Sequence, residues 1–425
     1  MNSSVMTTDQ EQVAADRTGA APARNRFAGR RVAMVTFSPY PFDPRPRRAI
    51  DALLSEGANI DLICLASDNL PRRETLKGLN VLRIPIHHDR RGKLQYAYRY
   101  SAFIFISSLV FAWRALARGY DLVYVHNMPD ILVLSGMVPK ALGARVVLDL
   151  HDPMPELMNT IFQVPENSRS VQLLKAVEKF SIGRCDLAIT VNIACKRIFS
   201  NRSCSAEKIA VVMNSPDDRI FPFRPASSDG LAARASQKPF VIMYHGSLVE
   251  RNGLDLAIDA LARVRETIPT AELRVFGAKT SFLDRMIEFA KGKNVQDIVH
   301  FLGPRRLEDL VNEIAKCDLG VIPNQRNAFT DINTPTRIFE YLSLGKPVIA
   351  PSTQGITDYF DEGSLLFFQS GDPANLAERI EYAFRHPREL FEIAQRGQKV
   401  YLEHTWERER ETLLDRLSAI LPARA

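Results

Sequence analysis

Short apolar runs alternate with helix-patterned segments along most of this 425-residue chain, and the alternation breaks only once. Residues 31–38 (RVAMVTFS), 60–65, 81–85, 122–126, 145–150, 186–191 and 209–213 read as strands, with helical stretches between most of them. Near-continuous apolar strands separated by helices predict a parallel sheet covered on both faces. Residues 216–239, with four prolines and a Ser-Ser-Asp-Gly turn, read as a linker. The alternation then restarts: strand 240–245, helix 253–265 and strand 272–276, followed by strands 298–302 and 319–323, helix 335–344 and strand 347–350. The expected fold class is α/β, two doubly wound units with the main crevice between them at the carboxyl ends of their strands.

Composition narrows the class. Hydrophobic residues make up 46% and charged residues 24%, a globular balance that argues against a mostly disordered chain. The five Cys form no CxxC pair, so neither a disulfide framework nor a zinc ribbon is expected, and a reducing compartment fits. Residues 1–28 are polar and Ala-rich without the apolar run of a secretory signal, and are expected to be a disordered tail. The longest apolar stretch, residues 102–113 (AFIFISSLVFAW), is about a dozen residues against the roughly 20 a spanning helix needs, so no span is expected.

The densest local signal is residues 334–350, TPTRIFEYLSLGKPVIA. Thr334 suits an N-cap, Pro335 the first helical position and Gly345 the helix end. Such a helix mouth, with unpaired N–H groups and the positive end of the dipole, suits a phosphate. Arg337 in the first turn could add a forked donor, and Glu340, three residues on, could accept hydrogen bonds from a vicinal diol such as a ribose. The plainer alternative is an ordinary capped helix with a surface Arg–Glu pair.

The order of motifs bears on that choice. The helix carrying Glu340, then Gly345-Lys346-Pro347-Val348-Ile349-Ala350, then Gly355 and Asp361-Glu362-Gly363, resembles the donor-binding core of the retaining GT-B glycosyltransferases of family four. Residues 245–254 (HGSLVERNGL) resemble that family's phosphate loop, residues 149–156 (DLHDPMPE) its strand-end His motif, and residues 212–217 (VMNSPD) the element closing its first domain. The resemblance covers roughly residues 30–405. It implies a first, acceptor-side Rossmann-like domain over 29–217, a linker over 218–239, a nucleotide-sugar domain over 240–405, and a closing helix, 406–425, packed back on the first domain. Three positions depart from the family pattern: Ile332 stands where a Glu is common, and Ser247 and Asn252 stand where the loop commonly has Arg and Lys. Arg251 is the cation left in the loop.

The resemblance implies sugar transfer from a nucleotide-sugar to an acceptor hydroxyl, with retention. Charge builds on the leaving diphosphate, which preorganised donors must stabilise. The expected catalytic set is His151, Arg251 and Glu340. Gly246, Ser247, Asn252, Gly277, Gly303, Thr334, Pro335, Thr336 and Arg337 are expected on the donor, and Asp152 and His126 on the acceptor side. No histidine triplet, DxD or carboxylate cage stands at a plausible site, so neither a metal nor another cofactor is expected. His151, at a strand end, is also readable as a loop His satisfied by Asp152 or Glu156; His126 is readable as cleft or core, and His87 and His88 as surface. An epimerase of the same architecture and a non-catalytic nucleotide-sugar-binding scaffold are the alternative functions.

Charge is concentrated as well. Ten Lys and Arg but only Glu74 and Asp89 lie between Arg72 and Arg118, around Tyr96, Tyr98, Tyr100, Phe103, Phe105, Phe111 and Trp113. Cations flanking an aromatic, apolar stretch suit an anionic leaflet, here through residues 90–118, and a lipid-linked sugar acceptor would fit. The opposing reading is a buried helix with a solvated rim. A nucleic-acid partner is not expected, because no nucleic-acid motif accompanies the charges. A cytoplasmic protein, peripheral on the inner membrane face, is the expected setting.

Overall fold

The computed structural model describes residues 25–68, 70–86, 93–227 and 238–423. His87, His88 and the basic pair Arg90 and Arg91 lie outside the described residues, as does residue range 1–24 of the expected tail.

The first unit is an eight-stranded sheet. In chain order its strands are β1 (Arg31–Pro39), β2 (Asn59–Leu65), β3 (Arg73–Leu76), β4 (Leu79–Ile84), β5 (Leu122–His126), β6 (Arg145–Leu150), β7 (Leu187–Thr190) and β8 (Ile209–Val211). They lie in the order β3-β4-β2-β1-β5-β6-β7-β8. All neighbours are parallel except β3, an antiparallel edge strand on β4 that the all-parallel expectation missed. The register sets His126 opposite Asp149.

Alternation along β1 explains the two covering layers. Val32 and Met34 face helix α1 (Pro44–Ser55) and its Ala49, Ile50 and Leu53, while Ala33 and Val35 face helix α2 (Lys93–Arg118) and its Phe103 and Phe111. Helix α1 starts where Asp43 accepts the Arg45 N–H and Pro44 occupies the first turn.

The second unit repeats the plan in six parallel strands: β9 (Phe240–His245), β10 (Ala271–Phe276), β11 (Val299–Phe301), β12 (Leu319–Val321), β13 (Val348–Pro351) and β14 (Leu366–Phe368), in the order β11-β10-β9-β12-β13-β14. Helix α3 (Thr336–Ser343) runs between β12 and β13. The closing helix α4 (Trp406–Ile420) crosses back and buries Leu413, Leu414 and Leu417 in the core of the first unit.

Two expectations need correction here. The tail ends earlier than residue 28, because Phe27 is fully buried in the first core and Arg26 pairs with Glu56, Glu411 and Asp415. Helix α2 is also longer than its dozen-residue apolar stretch. Its segment Tyr98–Arg118 has 21 residues and contains an 18-residue window of mean hydropathy 1.5, long and apolar enough by composition to cross a membrane. One side of it packs on the sheet through Phe103, Ser107, Phe111 and Ala115, while Tyr98, Phe105, Leu109, Trp113 and Leu116 are exposed. The buried-helix and exposed-face readings thus each describe one side of the same helix. Part of its basic rim is neutralised, since Arg114 and Arg118 lie against Asp61, and Arg83 is buried on Glu74 and the Pro71 carbonyl.

Candidate active site

Two units meet along a crevice, and specific bonds fix their approach. Thr160 Oγ1 donates to Asn327 Oδ1 (2.9 Å), Asn192 Nδ2 to the Ile332 carbonyl (2.9 Å), and the Ile193 N–H to Tyr359 Oη (2.9 Å). Arg48 sits at the hinge, donating to Asn214 Oδ1 and the Ser215 carbonyl with its guanidinium 5.1 Å from the Trp406 ring centroid.

On the second unit, β9 ends at His245 and the chain enters a tight loop. Gly253 has φ +67°, and a Cβ there would stand 2.0 Å from the Pro323 carbonyl oxygen, so the close approach requires glycine. Gly277 plays the matching part on β10, where a Cβ would meet the Gly246 oxygen at 2.4 Å, and its N–H donates to the Gly303 carbonyl. The three strand-end glycines expected on the donor are therefore side by side. Ser247 is exposed, and its carbonyl accepts from both Asn252 Nδ2 and Tyr244 Oη at 2.8 Å. Asn252 thus braces the loop from within. Arg251 is half-buried, and burial lowers its pKa while Asp152 of the first unit raises it. Its guanidinium makes no hydrogen bond or ion pair among the described residues.

Helix α3 begins one residue later than expected. Pro335 is the cap, with Thr336 first in the helix, and Thr334 does not cap it. The Thr334 hydroxyl donates instead to the Gly355 carbonyl and accepts from Asn192 Nδ2, which ties the helix entry to the first unit. Of the first N–H groups of the helix, that of Ile338 donates to the Pro335 carbonyl, which leaves those of Thr336 and Arg337 without an intrahelical acceptor. Arg337 is less available than the sequence suggested. Its Nη1 donates to the His245 carbonyl (2.8 Å) and its Nη2 to Asn324 Oδ1 (3.1 Å), so it clamps the helix to the loop. Glu340 does not pair with Arg337; its Oε2 lies 2.5 Å from His245 Nε2.

On the first unit, His126 is fully buried at the end of β5 and His151 is buried just beyond β6. His126 Nδ1 meets His151 Nε2 at 3.0 Å and Asp149 Oδ2 at 3.3 Å, and Tyr124 Oη donates to Asp149 Oδ2 at 2.8 Å. The plain alternative for His151, satisfaction by Asp152 or Glu156, is not what the side chain does. Burial pushes the His151 imidazole down to about 3, so it is neutral. Against its own burial, Asp149 is held down to about 2 by His151, His126 and Tyr124. Asn127 fixes this corner, accepting the His151 N–H and donating to Asp130 and the Asp152 carbonyl. Arg45 reaches Asp152 at 3.5 Å. A small cavity of about 20 Å³ under His151 is lined by Arg45, Arg48, Tyr124, Asp149 and Asn214. Two larger hollows, about 330 and 390 Å³, lie elsewhere, against Trp113 and against Lys346.

The fold gathers a cluster that spacing did not show. His126, Asp149 and His151 bring three possible ligand atoms within 4.8 Å of one another. Metal-bound histidines ordinarily donate their outer N–H to a carboxylate or carbonyl. Here His126 Nε2 and His151 Nδ1 have no such partner among the described residues, and mutual hydrogen bonding accounts for the cluster. Sequence reading also assigned no role to His245, Asp149, Asn127, Asn192, Arg45 or Arg48. The first two lie inside the quoted HGSL and DLHDP motifs, which was the available signal.

Comparison with known proteins agrees with this geometry. The family model described as "Glycosyl transferase 4-like domain" matches residues 42–215, and that described as "Glycosyl transferases group 1" matches residues 232–400. A D-inositol 3-phosphate glycosyltransferase of Salinispora arenicola is 26% identical over 227 residues, 49% of this chain and 50% of the relative, so the chain spans about half the length of that curated protein. Among solved structures, sucrose-phosphate synthase from Thermosynechococcus elongatus superposes with a TM-score of 0.72 at 18% identity, covering 92% of this chain and 99% of its own. Anabaena HepE in complex with UDP-glucose superposes with a TM-score of 0.66 at 16% identity, covering 92% and 100%. Two family domains in tandem, on two doubly wound units that close over a crevice, show that the chain belongs to the group 1 glycosyltransferases of GT-B fold.

Proposed function

We propose that the protein transfers a sugar from a nucleotide-sugar to an acceptor hydroxyl in the crevice between its two units, with retention and without a metal. The observation that carries this reading is Arg251: a half-buried guanidinium in the phosphate loop that feels the Asp152 carboxylate of the opposite unit yet makes no hydrogen bond or ion pair among the described residues. A diphosphate matches such a fork bidentately, and the open N–H groups at the start of α3 add a second anion-binding element. These groups are in place before the leaving group gathers charge, which is how preorganised donors lower a barrier. His151 and Asp152 stand on the acceptor side of the same crevice.

The acceptor in this reading is a lipid-linked sugar, met at an anionic membrane surface on the cytoplasmic side, in polysaccharide or glycolipid assembly. The exposed apolar side of α2, with Trp113 70% exposed, supports it, as do the exposed Arg72, Arg73 and Lys77 on and beside β3, of which Arg73 lines one hollow with Trp113 and Arg118. Incubation of radiolabelled UDP- and GDP-sugars with the protein and a membrane lipid extract tests the reading. A labelled lipid with the anomeric configuration of the donor is expected; an isomerised free nucleotide-sugar would instead indicate an epimerase, and bound but unchanged donor a scaffold.

A further inference from the structure

The closest contact to Glu340 comes from an unassigned residue. His245 Nε2 lies 2.5 Å from Glu340 Oε2, and His245 Nδ1 lies 2.9 Å from Tyr341 Oη. The hydroxyl of Tyr341 has one proton, and it goes to the Met243 carbonyl at 2.7 Å, which can only accept. Burial raises the Tyr341 phenol well above its ordinary value, so it keeps that proton. Tyr341 must therefore accept from His245, and Nδ1 carries a hydrogen. A neutral imidazole protonated at Nδ1 has only a lone pair at Nε2, and an ionised carboxylate has only lone pairs too. A 2.5 Å contact between two lone pairs is repulsive, so one more proton lies between Nε2 and Oε2.

We propose that His245 is a positioning residue of the donor site, holding one proton jointly with Glu340 so that the pair is uncharged as a whole and Oε1 is left free for a ribose hydroxyl. This rests on reading the site as a nucleotide-sugar site. Its physical consequence concerns the neighbouring diphosphate. A bare Glu340 carboxylate would repel the phosphoryl groups that Arg251 and the start of α3 attract, whereas the shared proton cancels that charge where the diol is recognised. Two cations also lie near the pair: Arg337, which bonds the His245 carbonyl, and Arg48, whose guanidinium feels the Glu340 charge. Neither hydrogen-bonds Glu340 itself.

Two measurements test this. Nitrogen-15 NMR of the full chain labelled at histidine, with His245 assigned by its loss in His245→Asn, is expected to show a protonated Nδ1 and a strongly hydrogen-bonded Nε2. A Nδ1 without hydrogen would overturn the proposal, whatever the protein binds. Calorimetric affinities for UDP and for uridine are then compared in wild type, His245→Gln and His245→Gln/Glu340→Gln. Gln can still donate to Oε2 but brings no extra proton. His245→Gln is expected to weaken UDP at least tenfold while changing uridine less than threefold, and the double variant to recover UDP binding. Equal losses for both ligands, or no recovery, would show a merely structural role. Failure of the wild type to bind UDP, GDP or their sugars would count against the donor reading of the site, and the NMR result would still decide where the proton is.

Discussion

His126 Nδ1 and His151 Nε2 stand 3.0 Å apart with ring planes within 4° of parallel, and Asp149, on the strand that leads to His151, accepts from Tyr124 beside the pair. One imidazole donates and the other accepts, so the orientation of His151 is set from β5, a strand it does not belong to.

A first prediction follows from that geometry. His151→Asn is expected to lower sugar transfer about a hundredfold, the scale of removing one preorganised donor, with nucleotide affinity within threefold of wild type. Because burial holds His151 near 3, it stays neutral from pH 5 to 8, and the pH–rate profile is expected to contain no ionisation that His151→Asn removes. A limb near pH 6.5 present in the wild type and absent in the variant would refute it.

Arg251 provides a second. Lys in its place keeps the charge but loses the planar fork, and is expected to weaken UDP binding by about 1.5–3 kcal/mol if the fork grips the diphosphate. Thermal stability is expected to stay the same, since the Arg251 side chain makes no hydrogen bond or ion pair among the described residues. Calorimetry together with a melting curve checks both halves; unchanged affinity would remove Arg251 from the site.

Asp130 carries a pH prediction independent of catalysis. Burial raises this carboxyl from 3.8 to about 7, partly offset by its bond from Asn127. With the folded pKa above the unfolded one, the stabilisation is complete below about pH 4 and is lost as pH rises through 7. Asp130→Asn is therefore expected to stabilise the protein at pH 8 by ~2–4 kcal/mol and to leave stability at pH 4 nearly unchanged. Denaturant melts at the two pH values check the sign; an equal effect at both would refute the ionisation account.

The outer side of α2 gives the last. Phe105 and Trp113 are 65% and 70% exposed, so a Phe105→Ser/Trp113→Ser variant is expected to keep its stability within about 0.5 kcal/mol per site. It is also expected to lose co-sedimentation with anionic vesicles, which the wild type should show and which neutral vesicles should not support. Absence of the wild type from both pellets would end the membrane reading.

The positions of His151, Arg251 and Glu340 were readable because each lies in a strand-end loop or a short helix whose pattern is local. Partnerships were not. Arg337 and Glu340 look like a pair on one helix, yet Arg337 turns to the β9 carbonyl and Asn324 while Glu340 turns to His245, 95 residues away. Thr334 has the chemistry of a cap, but the crevice offers its hydroxyl Gly355 and Asn192 instead. The short antiparallel β3 and the three-residue β14 escaped notice because neither carries enough alternation to mark a strand.

What the sequence determined by itself was the architecture. Apolar strand runs, helix entries and turn glycines act over a few residues, and their order along the chain fixes two doubly wound units with a crevice between them. Only the tertiary structure decided which polar atoms share protons and charge there. Strand register and the approach of the two units join residues far apart in the chain, and once water is excluded each buried donor or acceptor must find its partner among those neighbours.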